Sequence, residues 1–290
     1  MTSSPASPAA KPARLFPTAR DEAAVANKPT STAQTEHSAY RLAFQDNEFL
    51  LRDEARPVRL QLELMKAELA LAEARIASTF VIYGSARIPS PEDAAALVAA
   101  SEPGEDRRIA ESLAAKSHYY TVARELARLA SSVGEDAAGK QFVVCSGGGP
   151  SIMEAANRGA ADVGAISIGL NIVLPFEQVP NPYVTPGLSF QFHYFALRKM
   201  HFLMRARAVA AFPGGFGTFD ELFELLTLVQ TGKVPPLPIF LFGRDFWSRV
   251  VNFDALAEEG TIARTDLDLF HIVETADEAW AIVKAHYGLA

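Results

Sequence analysis

The sequence predicts an α/β protein: a Rossmann-like, doubly wound domain with a mainly parallel sheet of about seven strands. Three observations lead there. Short apolar runs recur along most of the chain, amphipathic segments of helical spacing separate them, and glycine follows several runs where strand should give way to helix.

Taken in order, residues 1–38 are rich in Pro, Ser, Thr and Ala, which bury too little apolar surface to offset chain entropy, so a disordered tail is expected. Residues 39–78 read as a helical arm, with Leu62, Met65, Leu69 and Ile76 on one apolar face. Residues 79–290 read as the Rossmann-like domain. "TFVIYGSARI" opens it as a buried strand, and a loop with Pro89 and Pro91 follows. A long helix then carries Tyr119, Val122, Leu126 and Leu129 and ends at Gly134.

The alternation continues. "QFVVC", "AISIGLNI", "LSFQF", "AVAAF", "PIFLF" and "LFHIV" are strands, and "SIMEAANRGAADVG", "FALRKMHFLMRA", Thr218 to about Thr231, "FWSRVVNFDALAEE" and "TADEAWAIVKAHY" are helices. The last starts on a Thr275/Glu278 capping box. "LPFEQVPNPYVTPG" is a loop without a regular element.

Composition narrows the function. The chain has 290 residues, a single Cys145, six scattered histidines and a formal charge of -7. That composition excludes an intrachain disulfide framework and offers no zinc-ligand spacing, so neither a secreted nor a metal-stapled fold is indicated, and no cofactor is called for. An acidic balance without a long basic block argues against nucleic acid and anionic membrane as partners. No apolar run reaches membrane-spanning length, the N-terminus lacks a secretory h-region, and a cytoplasmic protein is expected.

In parallel sheets ligands sit outside the carboxyl ends of the strands. "GSAR", "SGGGPSIME", "PFEQ" and "PGGFGTFDE" should therefore face one crevice. In the second of these, Gly147, Gly148 and Gly149 let the backbone approach an anion at a helix N-terminus. The segment is neither a dinucleotide fingerprint nor a P-loop, and the plainer alternative is a tight turn capped by Ser151 and Glu154. "PGGFGTFDE" repeats the design, and Thr218 with Glu221 is itself a capping-box pair. Asp220 and Glu221 would repel a phosphate unless cations stood opposite, and Arg198 and Lys199 lie just upstream. Two anion turns, a carboxylate and an Arg-Lys pair suit chemistry on a phosphorylated sugar, whose glycosidic bond breaks through an oxocarbenium-like transition state.

"PGGFGTFDE" resembles the PGGxGTxxE motif of the LONELY GUY (LOG) family, the cytokinin riboside 5'-monophosphate phosphoribohydrolases, whose members were often labelled lysine decarboxylases. "LRKM" sits at that family's Arg-Lys pair, and "GGGPSIMEAANRGA", "IGLNIVLPFEQ", "NPY", "ELFELLTLVQTGK" and "FGRDFW" extend the resemblance into the form of the longer bacterial branch. It implies cleavage of a nucleoside 5'-monophosphate, AMP or a cytokinin ribotide, to free base and ribose 5-phosphate without a metal. It implies Arg198 and Glu221 as the catalytic pair. Lys199, Gly214, Gly215, Phe216, Gly217, Thr218 and Asp220 would contact substrate, with Gly147, Gly148, Gly149, Glu177 and Thr227. It also implies a homo-oligomer, a dimer or larger, in which a neighbouring subunit helps close the site.

The chain departs from the pattern in three places. Ser151 replaces the usual Gly of GGGPGIM, Phe195-Ala196-Leu197 replaces a Met-His-Glu type run before Arg198, and the arm lies outside the common core. Cys145, His193 and His201 read as packing residues. Two functions from different classes stand: the hydrolase, and a non-catalytic carrier of a nucleotide or phosphorylated cofactor. A decarboxylase would need a pyridoxal-binding lysine, for which Lys199 beside Arg198 is a poor candidate.

Overall fold

The structure is a computed structural model, and it describes residues 16–26, 30–175 and 179–289. The chain divides into two compact units, Met1–Leu62 and Glu63–Ala290.

The first unit is a succession of short helical pieces. Ala19–Ala26 and Ala33–Glu36 fall within the stretch expected to be disordered, and neither buries a residue. Local capping accounts for such turns: Thr32 Oγ1 accepts from Thr35 N at 3.2 Å, and Asp46 accepts from Glu48 N and Phe49 N. Residues 1–15 and 27–29 of the expected tail lie outside the described residues. The arm is continuous helix only over Arg56–Glu73 (α1).

The second unit is built on a seven-stranded sheet. Its strands are β1 (Thr79–Tyr83), β2 (Val143–Ser146), β3 (Ser167–Ile172), β4 (Ser189–Phe192), β5 (Ala206–Ala211), β6 (Ile239–Phe242) and β7 (His271–Val273). The order is β4-β3-β2-β1-β5-β6-β7, with every neighbouring pair parallel. The chain winds outward from β1 in one direction and then, from β5, in the other. The topological switch, where such sheets open a crevice, therefore lies between β1 and β5.

Helices cover both faces. Phe80 and Ile82 join the core under α2 (His118–Ala130), α3 (Ile152–Ala161) and the C-terminal helix Ala276–Tyr287, while Val81 and Tyr83 join the opposite core. That core lies under α1, α4 (Phe195–Met204) and α5 (Phe216–Gln230). Alternation along β1 thus feeds two cores, and the strand is buried at every position.

Some expectations need correction. The stripe Leu62, Met65 and Leu69 is exposed, and α1 buries Ala67 and Leu71 instead, with Ile76 beyond its end. Small Ala67, Ala70 and Ala74 bring this face close against the sheet's core, and that packing draws the boundary at Glu63 rather than at residue 79. The loop after β1 contains helices Ala94–Ala100 and Glu105–Ala114. At the last helix Thr275 Oγ1 accepts from Glu278 N, but the Glu278 carboxylate accepts from Glu274 N, so the reciprocal half of the box is not made on Thr275. No helix among the described residues is long and apolar enough to cross a membrane.

Candidate functional site

The carboxyl ends of β3, β2, β1 and β5 meet as the topology requires. Ser85 N donates to Pro213 O at 3.0 Å, joining the turns after β1 and β5. Ile152 N donates to Ser85 O at 3.3 Å, joining the start of α3 to the same point. Arg198, in the first turn of α4, reaches across and donates Nε to Leu170 O of β3 at 2.7 Å.

The turn after β2 is held in shape by buried side chains. Gly148 N donates to Ser146 Oγ at 3.0 Å, and Ser146 Oγ donates to Asn157 Oδ1 at 2.7 Å. Asn181 Nδ2 lies within hydrogen-bonding distance of Gly148 O, Gly149 O and Asn157 Oδ1, at 3.1, 3.0 and 2.9 Å. Gly148 adopts φ +72°, and a Cβ there would stand 2.6 Å from Asn171 Oδ1, so only glycine fits. A Cβ on Gly147 would stand 2.6 Å from Arg198 Nη2, which places the guanidinium directly against this turn.

The capping explanation of this turn fails. Ser151 occupies the N-cap position of α3 at φ +66°, ψ -126°, but its hydroxyl donates to Ile88 O and caps nothing. Glu154 accepts from Tyr120 OH at 2.8 Å instead of reaching back. The backbone conformation at Ser151 is one that suits glycine.

The turn after β5 is built differently. Helix α5 begins at Phe216, two residues earlier than expected, with Gly215 as N-cap, and no side chain among the described residues caps it. Thr218 is therefore inside the first turn, not at the cap, and its hydroxyl packs under Gly214. The Thr218/Glu221 capping box is overturned for this reason. Phe216 is 96% exposed, while Thr218 is buried. The orphan amides of the first helical turn and the positive end of the helix dipole thus face the crevice without a built-in acceptor.

Glu221, one turn into α5, ion-pairs with Arg198 at 3.2 Å, and both side chains are 11% exposed. Lys199 Nζ lies 3.1 Å from Asp220 Oδ1 and 3.1 Å from Glu224 Oε2. The cations required opposite the two carboxylates are therefore in place. Burial pushes the Glu221 carboxyl up to about 7; Arg198 pulls it down, and the like charges of Asp220 and Glu224 add to the rise. Desolvation outweighs the guanidinium here because the pair is closed off from water on most sides. Burial likewise pushes the Cys145 thiol up, far from a reactive thiolate. Tyr83, at the end of β1, is buried edge-on against Phe202 at 5.1 Å, and Phe202 in turn lies beneath the Arg198 guanidinium.

The structure thus brings together Arg198, Glu221, Lys199, Asp220, Gly147 to Gly149 and Gly214 to Thr218. Thr227 lies elsewhere: it is exposed, its hydroxyl donates to Phe223 O at 2.8 Å, and six residues of helical rise separate it from Glu221 by about 9 Å. Glu177 lies outside the described residues. Asn157 and Asn181 escaped the sequence reading. The available signal was a polar residue on the alanine-lined face of α3 (Ala155, Ala156, Ala160), since a buried amide there demands partners.

A family model described as "possible lysine decarboxylase" matches residues 153–283, which include α4 and α5. Cytokinin riboside 5'-monophosphate phosphoribohydrolase LOG1 of Arabidopsis thaliana is 34% identical over 89 residues, 30% of this chain and 40% of that protein. LOG2 of the same plant is 37% identical over 70 residues, 23% of this chain and 32% of that protein. Over these segments the chain is similar to proteins of the LOG family. Its matches span two fifths or less of the length of these LOG proteins. Among solved structures, the molybdenum cofactor binding protein from the phototrophic bacterium Rippkaea orientalis is 15% identical, covering 73% of this chain and 99% of that one at a TM-score of 0.45.

Proposed function

We propose that this chain is a LOG-family enzyme and hydrolyses the N-glycosidic bond of a nucleoside 5'-monophosphate, AMP or a cytokinin ribotide, giving free base and ribose 5-phosphate. The observation that carries the reading is the buried Arg198–Glu221 pair, set between a rigid glycine turn and an uncapped helix start. The amides of Phe216, Gly217 and Thr218 receive the 5'-phosphate, whose charge the α5 dipole favours. Glu221 then faces the sugar. As the bond from the anomeric carbon to the base nitrogen lengthens, the carboxylate stabilises the developing positive charge and takes a proton from the attacking water. The water oxygen bonds to the anomeric carbon, the bond electrons leave with the base, and the base nitrogen is protonated. Arg198 holds Glu221 in place and offers its remaining N–H groups to the substrate. A metal-free, cytoplasmic homo-oligomer is the setting this reading implies.

The test is chromatographic measurement of base release from AMP, other nucleotides and isopentenyladenine ribotide. Glu221→Gln keeps the shape and loses the charge, and release should fall about a hundredfold or more. In the wild type kcat/KM should rise as pH passes through about 7, as Glu221 ionises, and the variant should lose that limb. Stability follows the same group. A folded pKa raised from 4.5 to about 7 contributes stability that is full below about 4.5 and lost as pH rises through about 7. Glu221→Gln should flatten that dependence in denaturant titrations. A wild type that binds nucleotide and releases no base would favour the carrier.

A further inference from the structure

The helix that presents Arg198 is poorly equipped to hold itself. Helix α4 has ten residues, short enough to be marginal alone, and Tyr194 at its N-cap offers no capping bond. Arg198 sits in its first turn, with its own amide donating to Tyr194 O at 3.1 Å, so fraying there moves the guanidinium directly.

The missing support comes from α1, more than a hundred residues earlier in the chain. Glu63 Oε1 accepts from His193 N at 2.8 Å and Oε2 from Tyr194 N at 3.2 Å, fixing the two amides that lead into α4. One and a half turns along α1, Glu68 takes the other end. Its carboxylate receives both Nη1 and Nη2 of Arg205, the C-cap residue of α4, at 2.5 and 3.0 Å. Arg205 also donates Nε to Ile76 O at 3.3 Å, and its carbonyl accepts from Thr79 N, the first residue of β1. Buried His201 places Nδ1 3.3 Å from the same Glu68 oxygen. Ala67 and Leu71, between and beyond the two carboxylates, are buried, so α1 is itself anchored by packing.

We infer that Glu63 and Glu68 are positioning residues, gripping the Arg198 helix at both ends and setting the guanidinium against Glu221. The inference rests on the hydrolase reading for its kinetic consequence, while its structural part stands without it. Removing Glu63 frees the start of α4 but leaves the α5 amides untouched. The effect should therefore fall on turnover more than on nucleotide affinity.

The experiment compares wild type, Glu63→Ala, Glu63→Gln and Glu68→Gln by base-release kinetics and by hydrogen exchange across residues 193–205. Glu63→Ala should lower kcat about tenfold with KM within about twofold, and should speed exchange at 193–198 while the sheet strands keep their protection. Glu63→Gln, which retains one acceptor oxygen, should recover part of both. Glu68→Gln should speed exchange at the C-terminal end of α4. Unchanged kcat and unchanged exchange in Glu63→Ala would overturn the inference, as would a uniform loss of protection across the sheet. Should Glu63→Ala not fold, Glu63→Gln and Glu68→Gln carry the same comparison. If the wild type releases no base, the hydrolase reading fails, and the exchange data alone decide whether the grip exists.

Discussion

The turns after β2 and β5 look alike in sequence, strand then glycines then helix, yet they are opposite devices. The first is braced from within: Ser146 and Asn181 hold Gly148 N, Gly148 O and Gly149 O, Asn157 holds those two side chains, and Gly148 has no room for a side chain. The second is left open: a Cβ on Gly215 or Gly217 would meet nothing within 4 Å, and no side chain among the described residues caps α5. One turn is braced by protein and the other stands open. Runs of glycine signal that backbone must come close to something, without saying whether that is protein or ligand.

Substitutions that treat the two turns alike should therefore give unlike results. Asn181→Ala removes the amide that binds Gly148 O and Gly149 O, and it should destabilise by about 2–4 kcal/mol in urea titration. Gly148→Ala, at φ +72° against Asn171, should cost about 2 kcal/mol or more. In the open turn the sign reverses. Gly217→Ala lies in the first turn of α5 with space around it, so it should stabilise by about 0.5–1 kcal/mol while weakening nucleotide binding in calorimetry. Equal destabilisation by the two glycine substitutions would remove the distinction. The smallest effect belongs to Ser151→Gly. It relieves a backbone conformation that suits glycine but loses the bond to Ile88 O, and its urea midpoint should rise by an amount worth about 1 kcal/mol or less.

The fold was legible because its inner strands are buried on both faces and so read as unbroken apolar runs, as in "TFVIY" and "IFLF". The pairing of Arg198 with Glu221 and Lys199 with Asp220 was legible as a need for countercharge, although only the fold supplied the partners. The capping boxes misled because Thr218 and Ser151 satisfy a local rule that tertiary contacts override: one packs under Gly214, the other reaches Ile88. The arm misled for a related reason. Helical periodicity picks out an apolar stripe by side-chain size, whereas α1 docks through Ala67, Ala70 and Leu71 and leaves Met65 and Leu69 in solvent. Glu63 reaching the entry to α4 leaves no trace at either end of the sequence, because backbone amides carry no residue identity.

Strand order also governs what the family match covers. The segment recognised by the family model starts at residue 153, after β1 and β2 have been laid down, and these are the middle strands of the sheet. Removed from the rest, that segment would be two strand clusters, β3 with β4 and β5 with β6 and β7, with no edge in common. The matched segment is thus not a continuous sheet by itself. β1 and β2 supply the centre that joins those clusters, and the Arg-Lys pair and Glu221 stand on the flank that β5 carries.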